Sequence, residues 1–221
     1  MEAHRDAGSH FLAISHATAD SLRTWLDRDL SIPVVRLGVD HRPHDVTENR
    51  GAGILMLGTV EPRKGHDVLL DALDELGDDA PVVDVVGQPG WASPQLTARL
   101  DAHSSVRWHR YLSDQDLADL WALTGLLLQP TRGEGFGLPV AEALHRNVLV
   151  LASDLPVLRE SGGEAASYVA VADTAAWAAG IAAFETDPES LAGPRSALLH
   201  TWADGANDVW AAVTEQLSRQ Q

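Results

Sequence analysis

Short apolar runs of strand length alternate with amphipathic helical patterns through most of this sequence, and that alternation restricts the fold more than any other feature. GILMLG (53–58) precedes a helical pattern over about 64–77 in which Val68, Leu69, Ala72, Leu73 and Leu76 share one face. PVVDVVG (81–87) precedes SPQLTARLDAH, where Ser93 and Pro94 suit the N-cap and first helical position. SVRWHRY (105–111) precedes SDQDLADLWALT, with Ser113 or Asp114 as cap and acidic residues in the first turn. GLLLQP leads through a Gly-rich loop into LPVAEALHR, NVLVLAS leads into DLPVLRE, and ASYVAV precedes DTAAWAAGIAAFE.

Six strand–helix units in series predict an α/β fold over about 50–185. It is a doubly wound, Rossmann-like parallel sheet of about six strands with helices on both faces. The unbroken runs LLL and VLVL mark central strands buried on both sides. Ligands of such sheets bind beyond the carboxyl ends of the strands.

The flanks read differently. HFLAIS and IPVVRLGVD suggest strands around a helix in ATADSLRTWLDRDL, segment 41–52 is a polar connector, and 194–219 suggests one or two helices. The expected division is therefore 1–50 as an interdomain remnant, 51–190 as the principal domain and 191–221 as a helical tail. The half βα unit at the start implies that something once preceded Met1. No apolar run approaches membrane-spanning length, and the N-terminus lacks the pattern of a signal peptide. With no cysteine, disulfides and thiolate metal sites are excluded, and cytoplasmic residence is expected. A net charge of −16 argues against nucleic acid or anionic lipid as partners of the general surface. Any phosphate must bind at a local cationic spot.

One such spot stands out. Fifteen of the sixteen basic residues are arginine, and the single lysine, Lys64, stands beside Arg63 in EPRKG, after a strand and a turn and at the opening of a helix. Helix N-termini favour anions, lysine adds a compact charge, and arginine adds a fork for two phosphate oxygens. Two solvated cations are the bland reading; strand, turn, cation pair and helix start together favour an anion site.

The second candidate is RGEGFGLPVAEAL. Gly133, Gly135 and Gly137 alternate with Arg132, Glu134 and Phe136 ahead of a helix in which Pro139 suits N1. Glycines let backbone approach a ligand, and the helix amides can meet phosphate or hydroxyl. Carboxylates beside phosphates hold hydroxyls or a cation, and an acceptor-only group suits vicinal hydroxyls. For Glu142 a surface helix position is the plainer reading of the residues alone; for Glu134 the two readings balance. The ten histidines show no metal spacing, with His41 and His44 in the connector, and no Walker loop, G-x-S-x-G or G-x-G-x-x-G occurs. Trp25, Trp108, Trp121, Trp177, Trp202 and Trp210 suggest core or interdomain packing. Trp91 suggests core ahead of a cleft rim, and Ser161–Gly163 is a weaker cleft candidate.

EGFGLPVAE, Glu134 to Glu142, resembles the E-x7-E motif of retaining nucleotide-sugar glycosyltransferases of the GT-B fold, glycosyltransferase family 4 in particular. AISHATADSL, VVRLGVD, LMLGTVEPRKGHDVLLDAL, VVGQPGW, YLSDQDLADLWA, LASDLPVLRE and GGEAASYV follow in family order, so the resemblance covers almost the whole chain. It implies one half of a GT-B fold, the domain that binds a nucleotide-diphospho-hexose of mannosyl, rhamnosyl or glucosyl type. Arg63 and Lys64 would clamp the diphosphate and neutralise the leaving group. Glu134 would accept from sugar hydroxyls, with Gly135 and the amides of Phe136, Gly137 and Leu138 meeting sugar and phosphate oxygens. Glu142 would take the ribose, and the backbone at Tyr111 and Leu112 would border the base. Arg110 stands where the family often has glycine, a departure that bears on the base pocket. On that resemblance the glutamates would grip the donor along its length, unlike a glycosidase acid/base pair that flanks the scissile bond. The departing phosphate would itself help deprotonate the acceptor. No cofactor and no metal are expected.

The acceptor domain of such an enzyme is absent from this sequence. The chain is then a truncated fragment, a subunit of a split enzyme with an acceptor-domain partner, or a non-catalytic sugar-nucleotide binder. An apolar face left by the missing domain would favour partner binding or self-association.

Overall fold

A computed structural model describes residues 10–27, 30–40, 51–193 and 200–218. The chain divides into two compact units, His44–Ala197 and Met1–Pro43 together with Leu198–Gln221. The terminal segments, read separately in the sequence, thus group together. His41 and His44 lie outside the described residues, as do parts of the connector and of the tail.

The larger unit is a six-stranded parallel sheet in the order β3-β2-β1-β4-β5-β6. Its strands are β1 (Gly53–Leu57), β2 (Val83–Val86), β3 (Val106–His109), β4 (Thr124–Gln129), β5 (Leu149–Ser153) and β6 (Ser167–Val169). Numbering helices from the N-terminus, this unit holds α2 (His66–Leu76), α3 (Pro94–Ala102), α4 (Asp114–Leu123), α5 (Leu138–His145), α6 (Pro156–Gly162) and α7 (Thr174–Thr186). Two helix starts, those of α3 and α4, follow the sequence signals, and a third cap, Asp173, comes from the structure. Ser93 accepts from the Leu96 N–H, Ser113 from Asp116 and Asp173 from Ala176, each satisfying an otherwise orphaned first-turn amide.

Every residue of β4 and β5 is buried, as expected of central strands covered on both faces. On one face Val68, Leu69, Ala72 and Leu73 of α2 and Trp177, Ala178, Ile181 and Phe184 of α7 pack onto Ile54, Met56, Val85, Leu126, Leu128, Leu149 and Leu151. Because strand side chains alternate, Leu55, Leu127 and Val150 face the other way, the side taken by α5 and α6. The order reverses between β1 and β4, which pair directly. That switch point opens a crevice at the carboxyl ends of the two strands.

In the smaller unit α1 (His16–Leu26) is capped by Ser15, and α8 (Trp202–Ser218) forms the C-terminal helix. The two expected strands reduce to a single parallel bridge, Ala13 with Val34. Phe11, Leu22, Leu30 and Val34 pack around Ala13, Ala19 and Ile32, so the apolar pattern serves a small cluster instead of a ladder. The tryptophans divide as well. Trp177 and Trp121 are core and Trp108 is half-buried, but Trp25, Trp202 and Trp210 are exposed, and Trp91 is 69% exposed and not in the core.

Trp177 is 1% exposed and its indole N–H donates to the Ala170 carbonyl at 3.1 Å. Trp177→Ala is therefore expected to cost ~3–5 kcal/mol. Trp210→Ala, at a position 72% exposed, is expected to stay within ~0.5 kcal/mol. Guanidinium unfolding of the two variants checks the contrast.

Candidate functional site

The turn after β1 and the loop after β4 leave neighbouring strands at the switch point. Arg63 and Lys64 do not open α2, as the sequence pattern suggested. They occupy a 3-10 turn, Pro62–Lys64, which Gly65 separates from the helix at φ 76°. Only glycine fits there: a Cβ on Gly65 would lie 1.8 Å from the Pro130 carbonyl oxygen. The first turn of α2 is served by its own Asp67. Partial burial pushes the Asp67 carboxyl up, but Arg132 and the backbone N–H groups of Asp67 and Val68 outweigh that and hold it below the ordinary range.

With Gly65 seated on Pro130, main chain meets main chain. The Arg132 N–H donates to the Arg63 carbonyl at 2.6 Å, and the buried Thr131 hydroxyl donates to the same oxygen at 2.9 Å. The Arg132 guanidinium crosses to the Asp67 carboxylate through two bonds of 2.8 and 2.7 Å. The side chains that reach the crevice follow from this frame. Lys64 Nζ lies 2.7 Å from Glu134 Oε1, and Arg63 Nη1 lies 3.3 Å from Glu134 Oε2 and 3.1 Å from the Gly133 carbonyl. Arg63 Nε also meets Glu61 at 2.9 Å. The Lys64 and Glu134 side chains are only 12% and 8% exposed, whereas Arg63 is 45% exposed. The stem of Lys64 runs close beside Gly58, where a narrow aliphatic chain fits and a guanidinium would be bulkier.

The rest of the loop is built as follows. Gly133 has open space where a Cβ would stand, while Gly137 is left-handed at φ 90° against Leu158 and Ser161. Phe136 is buried, Gly135 is exposed and Leu138 is half-buried at the first position of α5, which puts Pro139 at the second. Glu142 sits one turn along α5, half-buried. Tyr111 and Leu112 follow β3 two strands away from β1, and Tyr111 is 76% exposed. Arg110 stacks on Trp108 and pairs with Asp101. Ser161 is buried, donates to the Leu158 carbonyl and lies against Gly137 of the loop. Among the described residues no group of three or more His, Asp or Glu could hold a metal ion, and no helix is long and apolar enough to cross a membrane.

Two further residues stand at the site, Gln129 and His66. Gln129, at the end of β4, donates its amide N–H to Glu134 Oε1 at 2.9 Å. A polar residue closing the apolar run LLLQP was the available signal. His66, directly after Gly65, is fully buried, and neither ring nitrogen makes a hydrogen bond. The Gly58 carbonyl is near enough to favour a charged ring but lacks bonding geometry, and burial, the largest influence, together with Lys64 outweighs it and Asp67. The His66 pKa is lowered from 6.5 to about 4.

Comparison with known proteins places this frame. The family described as "Glycosyl transferases group 1" matches residues 51–187. The serotype-specific mannosyltransferase WbdA of Escherichia coli is 33% identical over 158 residues, 68% of this chain and 19% of that protein. A glycosyltransferase from Rickettsia africae superposes with a TM-score of 0.66 at 19% identity, over 92% of this chain and 59% of the other. The pneumococcal O-GlcNAc transferase GtfA, solved with UDP and GlcNAc, gives 0.65 at 15% identity, over 98% and 45%. The chain thus spans about a fifth of its mannosyltransferase relative.

The buried, neutral His66 ties stability to pH. The folded state keeps the ring neutral down to about pH 4, whereas the unfolded chain takes a proton below 6.5. The unfolded state therefore binds more protons between these values, and stability falls as pH drops through that window by about 3 kcal/mol. His66→Leu is expected to leave stability at pH 7 nearly unchanged and to remove this loss, measured by denaturant unfolding at pH 7 and 4.5. An unaltered acid slope in the variant would contradict it.

Proposed function

Because the chain belongs to the glycosyl transferases group 1 family and carries a GT-B glycosyltransferase domain, we propose that residues 51–190 bind the nucleotide-diphospho-hexose donor of a retaining hexosyl transfer. The observation that carries this reading is the meeting of Lys64 and Arg63 with Glu134 at the carboxyl ends of β1 and β4. Two cations and one carboxylate, sharing a crevice at the switch point, match a ligand with anionic and hydroxyl-bearing parts joined end to end.

In the structure these groups pair with one another. A diphosphate offers Arg63 and Lys64 more negative charge than one carboxylate does, so they turn to it and offset the charge that develops as the sugar–phosphate bond breaks. Glu134, released from part of its pairing, accepts from sugar hydroxyls. Glu142 on α5 accepts from the ribose, and the backbone at Tyr111 and Leu112 borders the base. The leaving phosphate assists removal of the acceptor proton, with no cofactor and no metal. Mannose is the favoured hexose, on the identity with a mannosyltransferase. Transfer needs an acceptor domain, supplied by a partner chain or by a longer protein of which this chain is part.

Calorimetric titration with GDP, UDP and dTDP and their hexose conjugates tests the reading. One nucleotide is expected to bind saturably, and Lys64→Ala and Glu142→Ala are each expected to weaken it by about tenfold or more. Absence of binding throughout the panel would contradict donor recognition.

A further inference from the structure

We infer that Gln129 is a positioning residue that keeps the Glu134 carboxylate aimed when a donor draws the cations away from it, an assignment that rests on the donor reading above. Gln129 closes β4 and is 2% exposed. Its Nε2 donates to Glu134 Oε1 at 2.9 Å, the same oxygen that Lys64 Nζ meets at 2.7 Å. A carboxylate only accepts, so the amide must present its nitrogen. That orientation leaves Gln129 Oε1 buried with no hydrogen-bond partner.

An orphaned buried acceptor lowers stability, and the three preceding positions, Leu126, Leu127 and Leu128, are buried apolar side chains. A polar residue held at such a cost points to a task outside core packing. The three donors on Glu134 differ in what a ligand does to them. Lys64 and Arg63 are cations for which a diphosphate competes. Gln129 is neutral and buried, so a phosphate does not draw it off. It is the donor that stays on Glu134 once the crevice is filled, and it holds the carboxylate toward the hydroxyls of the sugar.

The consequence is selective. Recognition of the free nucleoside diphosphate depends on the cations, while the added grip on the hexose depends on Glu134 and therefore on Gln129. The test compares the full chain with Gln129→Met, which keeps length and loses the donor. Titrations use whichever nucleoside diphosphate of the GDP, UDP and dTDP panel binds, alongside its hexose conjugate. Affinity for the conjugate is expected to fall about tenfold, affinity for the free diphosphate to stay within about twofold, and Tm not to drop. Equal losses for both ligands, or undiminished conjugate binding, overturn the assignment. A readout without substitution is the Gln129 side-chain amide followed by NMR. Its protons are expected to stay protected from exchange with the conjugate bound, and loss of protection on binding overturns the assignment too. Failure of the unaltered chain to bind any member of the panel is a different result: it removes the donor reading itself, and the assignment with it.

Discussion

The left-handed conformation of Gly65 is the constraint on which the crevice depends. It lets the turn after β1 lie against the Pro130 carbonyl, closer than any side chain would permit. The Arg63 carbonyl then receives two hydrogen bonds from the loop after β4, and the two segments become one frame. Arg63, Lys64 and Glu134 meet because their backbones are already joined, not because opposite charges found each other across a gap. A buried ion pair gains little net stability, since desolvation offsets its attraction. Its worth here lies in keeping a carboxylate and two cations poised at the switch point of the sheet.

Two residues near that frame break the rules of a well-satisfied core. His66 buries an imidazole with both nitrogens unbonded, and Gln129 buries an amide oxygen without a donor. Both flank the cation pair or its carboxylate. Departures of this kind gather at functional sites, where local stability is traded for a prepared arrangement of groups. The surrounding sheet can absorb the cost, because every residue of β4 and β5 is buried and the middle of each strand is apolar.

The alternation of apolar runs with helical patterns made the six strands legible, and the caps at Ser93 and Ser113 made the starts of α3 and α4 legible. EPRKG and EGFGLPVAE pointed to the chemistry. Less visible was how the motifs join. Gly65 reads as an ordinary glycine until Pro130 is placed beside it, so the turn and α2 merged into one predicted helix. The bonds from Arg132 to Asp67 and from Gln129 to Glu134 link residues whose proximity depends on strand pairing or on the path of a loop, which periodicity does not report. The flanking apolar runs were read as strands, yet only Ala13 and Val34 bridge, because pairing needs a partner along the whole run and the pattern specifies only a face.

In the proposed complex the cation pair and Glu134 divide one donor between them. A crystal structure of the chain with a bound nucleotide-hexose measures this most directly. The diphosphate is predicted within hydrogen-bond distance of Lys64 and Arg63, with the hexose hydroxyls on Glu134. A diphosphate bound elsewhere, with the Lys64–Glu134 pair intact, would contradict it.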